Sequence, residues 1–301
     1  MKKIGASLLF TLLSIAVLAQ KNSNENTLLW KISGNGLEKP SYLYGTIHMI
    51  CADDAGLSNN FKKVIKDCDE VYFEVDMDNL FEMIGAMAKM KMRGDTTLRD
   101  LLNEADYKKV KEYFEKKGSM LPFTMLETYK PILAASTLEQ KSLDCDQTAI
   151  MEQVIMEEAK QSNKKINGLE TMSYQADVLD SIPYRLQAMQ LVSYIDSASL
   201  GDKENKQMDE LFEAYKKQDL KKLEELMVET DAGLSGFTDI MLYHRNLNWV
   251  KKLQKLMPQK SLVIAVGAGH LPGEKGVINL LRLAGFTLTP VENKIVKTRE
   301  I

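Results

Sequence analysis

Ser261-Leu262-Val263-Ile264-Ala265-Val266-Gly267-Ala268-Gly269-His270 is an apolar, β-branched run that stops at a glycine turn ending in histidine. A short apolar run bounded by glycine reads as a strand, which places His270 at its carboxyl end, where open α/β sheets bind their ligands. Near the other end of the chain, Ser41-Tyr42-Leu43-Tyr44-Gly45-Thr46-Ile47-His48 has the same build. The chain has 3 histidines, and two of them close a Gly-x-x-His pattern after a strand-like run. Imidazole is the commonest protein metal ligand, so the pair draws attention to metal chemistry.

Working outward, Leu28 to Ile32 and Tyr42 to Tyr44 flank a Gly-Asn-Gly and proline turn and read as a β-hairpin. Leu57 to Lys66 has a helical apolar face opened by Ser58-Asn59, and Glu70 to Met77 alternates as a strand. The last sixty or so residues give a helix around Asp239 to Leu256, the strand Ser261 to Val266, a helix near 273–284 and a strand Phe286 to Val291. Between the ends, residues 79–161 and 171–231 carry charged amphipathic patterns that read as helices, interrupted by a short strand Lys165 to Leu169. The expected fold is α/β, with a central mixed β-sheet built from the N- and C-terminal segments and a large α-helical insertion. Residues 20–301 then form a single domain, and whether the two β-turn-His units are an internal duplication stays open.

Lys2-Lys3, the apolar stretch Ile4 to Leu18 and small residues around Ala19 read as a secretory signal peptide over residues 1–19. That stretch is short for a membrane span and no second long apolar run follows, so no stable transmembrane span is expected after cleavage. The destination is an exported one: periplasmic, associated with the cell envelope, or secreted. Loss of Lys2 and Lys3 takes the formal charge from -3 to about -5, which gives no reason to expect nucleic acid and suits a peptide or small-molecule substrate. Three cysteines, Cys51, Cys68 and Cys145, permit at most one internal disulfide and leave one thiol over. Each read alone is a small buried hydrophobe.

Period-2 alternation in Val71-Tyr72-Phe73-Glu74-Val75-Asp76-Met77 puts Glu74 between Tyr72 and Asp76 on one face. A carboxylate in a buried-looking strand needs a cation or metal partner, and an adjacent parallel strand ending in His48 is the partner expected. The bland readings are a solvated strand face for Glu74 and satisfied core histidines for His48 and His270. His48 and Cys51 also make an H-x-x-C spacing, a weak zinc signal because no second ligand pair accompanies it. Gly267 and Gly269 suggest a dinucleotide turn, but Pro272 stands where the third glycine belongs and too little chain follows Glu292 for further βαβ units. Arg245, on the helix before the last motif, is placed to meet an anionic group. No H-E-x-x-H, G-x-S-x-G or P-loop pattern occurs.

Leu43-Tyr44-Gly45-Thr46-Ile47-His48, Phe73-Glu74-Val75-Asp76, Gly168-Leu169-Glu170-Thr171, Arg245-Asn246 and Val266-Gly267-Ala268-Gly269-His270-Leu271 together resemble the TraB/GumN family. That family includes the Tiki metalloproteases, and the resemblance implies an α/β fold related to the erythromycin esterase and ChaN-like proteins. It further implies a divalent-metal site in which His48, Glu74 and His270 occupy the metal and catalytic positions, with Gly45 and Gly267 in the two Gly-x-x-His motifs. Glu170, Gln175 and Asn246 match other recurring family positions, while Leu143-Asp144-Cys145-Asp146-Gln147 departs from the family's Gly-Asp pattern. The expected activity is that of a metal-dependent hydrolase, peptidase-like, using Mn, Co or Zn. Glu74 either completes the metal shell or acts as general base, and Arg245 stabilises a developing oxyanion. The alternative is a non-catalytic metal- or ligand-binding envelope protein of the same fold.

Overall fold

A computed structural model describes residues 26–117, 121–139, 145–200, 204–229 and 235–295. The expected signal peptide, residues 1–19, lies outside them, as do Leu143 and Asp144. The strands are β1 (Leu29–Ser33), β2 (Ser41–Thr46), β3 (Ile50–Cys51), β4 (Glu70–Val75), β5 (Thr148–Ala149), β6 (Lys165–Glu170), β7 (Leu262–Gly267) and β8 (Thr287–Pro290). Six of them form one mixed sheet in the order β6-β4-β7-β2-β1-β8, and β3 pairs with β5 apart from it. Helices make up most of the other described residues, so the α/β fold with a mixed central sheet is the one the sequence predicts.

β1 and β2 make the expected antiparallel hairpin, with Leu29 opposite Tyr44 and Ile32 opposite Ser41. Its turn runs through Gly34, Asn35 and Gly36 at φ 78, 46 and 78, a left-handed stretch that glycine and asparagine tolerate. β7 is parallel to β2 on one side and to β4 on the other, and β4 is parallel to β6. β8 covers the far edge antiparallel to β1. The carboxyl ends of β2, β4, β6 and β7 therefore lie at one end of the sheet, where Glu74, Glu170, Gly267, His270 and His48 are found. The strand order corrects one expectation: the neighbour of β4 that ends in a histidine is β7, with His270, and β2, leading to His48, lies one strand further out. Hydrophobic periodicity specifies faces and has no information on lateral order.

β7 is covered on both faces: Leu262, Val263, Ile264, Ala265 and Val266 are all buried, as expected for a central parallel strand. Val71, Tyr72 and Phe73 of β4 are likewise buried. Helices Asn59–Asp67 and His244–Leu256 contribute Phe61, Val64 and Ile65, and Trp249, Val250 and Leu253, to the same core. Ser58 caps the first of these, accepting the Phe61 N–H, and Phe61 stacks on Tyr44 at 3.9 Å. A second apolar cluster, including Leu98, Val110, Phe114, Leu126, Leu191 and Ile195, is built from the intervening helices. Within that helical part a fully buried Lys130 pairs with Asp180 at 2.8 Å.

The single disulfide joins Cys51 to Cys145, and Cys68 is a buried free thiol. Burial pushes that thiol up to about 11. The reading of each cysteine as a small buried hydrophobe thus holds for Cys68 alone, and an H-x-x-C zinc thiolate at Cys51 is excluded because its sulfur is spent in the disulfide. Among the described residues no helix is long and apolar enough to cross a membrane.

Candidate active site

After β7 the chain leaves the sheet at Gly267 and makes a single 3-10 turn, Ala268–His270, which leaves His270 buried at 5% exposure. On helix His244–Leu256, Asn246 holds this ring: its Oδ1 lies 2.6 Å from His270 Nδ1, while its Nδ2 donates to the Lys275 carbonyl at 2.9 Å. An amide oxygen only accepts, so the imidazole proton resides on Nδ1 and Nε2 keeps its lone pair. Arg245 Nη1, 3.3 Å from Nε2, is accordingly a donor to it. Burial lowers the His270 pKa to about 4, with Glu74 opposing and Arg245 assisting, so the ring is neutral at neutral pH. Trp249 lies against it, with ring centroids 4.5 Å apart.

Glu74, the second-last residue of β4, faces that ring. Its Oε1 accepts the Gly267 N–H at 2.9 Å and stands 3.8 Å from His270 Nε2. Its Oε2 accepts from Arg245 Nη2 at 2.5 Å and from Gln175 at 3.0 Å. Burial works against the charge, but His270 when protonated, Arg245 and the Gly267 N–H outweigh it, so the carboxyl ionises below its ordinary range. A Cβ added to Gly267 would come 3.3 Å from Glu74 Oε1 and 3.6 Å from the His270 ring. Glycine there leaves a cradle between the two groups.

Arg245 is the hub. Its Nε and Nη2 donate to Glu170 Oε1 at 2.8 and 2.6 Å, Nη2 also reaches Glu74, and Nη1 donates to the Met241 carbonyl at 2.9 Å. Met241 belongs to a π-helical turn, Asp239–Tyr243, directly before the helix, a distortion often found at functional sites. Glu170, the last residue of β6, also accepts from the Trp249 indole at 2.9 Å and from Gln175 at 2.9 Å. All five guanidinium donors are engaged, and Arg245 braces two carboxylates of the site. One guanidinium facing two carboxylates beside a neutral imidazole leaves the cluster with a net negative charge.

His48 stands apart from this cluster. Two residues beyond β2, it is 71% exposed and its Nδ1 lies 3.4 Å from Glu152 Oε2, on helix Met151–Gln161. Glu152 Oε1 accepts from Thr46 Oγ1 at 2.8 Å, and its Oε2 is buried without a hydrogen bond. Gly45 serves packing: its carbonyl accepts the Tyr215 hydroxyl at 3.1 Å, and a Cβ would press on Leu28 and Leu271 at 3.0 Å. The structure therefore gathers Glu74, Glu170, Gln175, Arg245, Asn246, Gly267 and His270 into one network, and sets His48 with Glu152 at the neighbouring strand end. Trp249 and Glu152 had no prior assignment. Trp249 falls four residues after Arg245, on the same helical face, and was findable; Glu152 sits in a charged helical pattern with no local signal.

The donor chemistry, two imidazoles and carboxylates, suits a divalent cation of the Mn, Co or Zn class. The cradle at Gly267, between Glu74 and His270, leaves room for such a group. Among the described residues no three His, Cys, Asp or Glu side chains converge as a ligand set; the donors stand as two pairs, His270 with Glu74 and His48 with Glu152.

The sequence profile of the TraB/PrgY/gumN family matches residues 28–290. Among similar proteins, Metalloprotease TIKI1 of Xenopus tropicalis is 21% identical, the match covering 93% of this chain and 65% of the relative. Metalloprotease TIKI2 of Xenopus tropicalis is 23% identical over 89% of the chain and 60% of the relative. Metalloprotease TIKI1 of Homo sapiens is 21% identical over 89% and 63%. The chain thus spans somewhat under two thirds of the length of these relatives. No solved structure matches it.

Proposed function

The chain belongs to the TraB/PrgY/gumN family, and from that premise we propose that it is an exported, divalent-metal-dependent hydrolase that acts on peptides. The single observation that carries this reading is the convergence of two acceptors, the ionised Glu74 carboxylate and Nε2 of the neutral, buried His270, 3.8 Å apart in a cluster of net negative charge. His270, through the Nε2 lone pair that Arg245 Nη1 otherwise occupies, and His48 from the neighbouring strand end would hold the cation, with Glu74 beside it as the base. When bound, such an ion supplies Lewis-acid polarisation to a scissile carbonyl and to an attacking water.

The chain's own residues supply the rest. Asn246 keeps the proton on His270 Nδ1, which fixes both tautomer and ring orientation. Arg245 and the Gly267 N–H hold Glu74 ionised, and its Oε2 is saturated by Arg245 and Gln175, which leaves Oε1 as the oxygen that takes a proton from water as general base. Glu170 keeps the guanidinium in place. Residues 1–19 serve as the export signal, and the Cys51–Cys145 disulfide suits an oxidising compartment.

The experiment is cleavage of unstructured peptides by the purified protein with Mn or Co added, in wild type and Glu74→Gln. Metal-dependent cleavage that falls by roughly 100-fold or more in the variant supports the reading. Cleavage indifferent to chelator or to Glu74→Gln contradicts it. Metal uptake without turnover of any peptide would favour a binding protein of the same fold.

A further inference from the structure

We propose that Glu152 is a positioning residue of this site, which holds His48 by its Nδ1 and so leaves Nε2 as the nitrogen that binds. The inference deepens the metal-dependent reading and rests on it for what His48 binds, though the placement of the ring by Glu152 stands on geometry alone.

Glu152 and His48 differ in a way that assigns their roles. The carboxylate side chain is 16% exposed and the imidazole 71%, so Glu152 is the interior anchor and His48 the outer group it steadies. Thr46, itself buried, fastens one carboxylate oxygen at 2.8 Å. Thr46 is the register partner of Gly267, whose N–H fastens Glu74. The two carboxylates are thereby tied to opposite members of one residue pair, on parallel strands about 4.8 Å apart. A buried oxygen without a donor is costly, and native structures retain one where something is to fill it; Glu152 Oε2 is such an oxygen, and it faces His48 Nδ1.

The juxtaposition is built in covalently. Cys51, three residues beyond His48, is cross-linked to Cys145, and β3 pairs with β5 so that Ile50 is opposite Ala149 and Cys51 opposite Thr148. A further bond runs from the Ala52 N–H to the Gln147 carbonyl at 2.9 Å. These links fix the His48 loop to the segment that enters the Glu152 helix. The arrangement parallels that of the other histidine: His270 has Nδ1 on the Asn246 amide, and His48 has Nδ1 3.4 Å from the Glu152 carboxylate. Carboxylate or carbonyl acceptors on the second nitrogen are the usual means of orienting a metal-binding imidazole.

Nitrogen-15 NMR of the full chain without added metal tests this, because the chain has only 3 histidines and His244, exposed on its helix, serves as an internal reference. In wild type, neutral His48 is expected to share the Nδ1–H form with His270. In Glu152→Met, which fills a similar volume with a helix former, His48 shifts to the pattern of His244 while His270 is unmoved. Glu152→Gln, which keeps an acceptor, restores the Nδ1–H form. A wild-type His48 that already matches His244, or one unmoved in Glu152→Met, overturns the proposal. Titration of Mn2+ into the same samples separates the two claims. Mn2+ binding about 10 to 100-fold weaker in Glu152→Met accords with both. A wild type that takes up no Mn2+ ends the metal reading while the NMR result still decides the role of Glu152.

Discussion

Asn246 Oδ1 and His270 Nδ1 stand 2.6 Å apart, both side chains buried, and this contact decides which nitrogen of the ring faces Glu74. Replacing Asn246 by Leu removes the acceptor and strands a buried N–H, which costs about 1–3 kcal/mol. Urea denaturation should show that loss, and Mn uptake should weaken by about 10 to 100-fold as the ring loses its fixed tautomer. Unchanged stability and uptake in Asn246→Leu would contradict the arrangement.

Arg245 Nη2 bridges Glu74 Oε2 and Glu170 Oε1 at 2.5 and 2.6 Å. In Arg245→Met the two carboxylates keep their burial and lose their cation, a loss of about 3–5 kcal/mol at neutral pH. Because protonation relieves that repulsion, the gap between variant and wild type should narrow at pH 5. Arg245→Lys should recover little, since an ammonium cannot reproduce the planar fork. A variant with wild-type denaturation midpoints would show that the bridge contributes nothing.

Stability should fall as the solution is acidified from neutral. His270 titrates near 4 in the folded chain against 6.5 ordinarily. Between those values the unfolded chain binds a proton that the folded chain refuses, so the loss begins below about pH 6.5 and is complete near pH 4. Its size is about 3 kcal/mol from this group. Glu74, held below its ordinary range, contributes stability present above its unfolded value and lost at still lower pH, in the same direction. Denaturation midpoints constant from pH 7 to pH 4.5 would exclude a buried neutral His270.

The Cys51–Cys145 bond closes a loop of 94 residues. On the chain-entropy account such a cross-link contributes roughly 3–5 kcal/mol, so reduction, or Cys51→Ser with Cys145→Ser, should lower the thermal midpoint by several degrees. Cys68 is buried and its thiol pushed up to about 11, so the native oxidised protein should not react with alkylating reagents until unfolded. Rapid alkylation of the native protein would contradict that burial.

Much of the fold was legible because its central strands announce themselves. Leu262 to Val266 and Tyr42 to Tyr44 are apolar runs stopped by Gly267 and Gly45, and the Gly-Asn-Gly turn marks the hairpin. The residues the structure gathers around His270, namely Glu74, Glu170, Arg245 and Asn246, are those that the family resemblance picked out. What remained hidden depends on contacts distant in sequence. The lateral order that seats β7 between β4 and β2, and so parts His48 from Glu74, leaves no trace in periodicity. The choice of Cys145 over Cys68 as partner of Cys51 depends on a loop closed across 94 residues. Glu152, in Met151-Glu152-Gln153-Val154-Ile155-Met156, looks like any solvated helical glutamate until the β3–β5 pairing brings it beneath Thr46.

The central claim is that both Gly-x-x-His histidines serve one divalent cation. Metal content of the purified protein after equilibration with Mn or Co, for wild type beside His48→Ala and His270→Ala, tests it most directly. About one ion per chain in wild type, lost in both variants with folding retained, is the predicted result. A wild type that holds no metal, or metal retained in both variants, would contradict it.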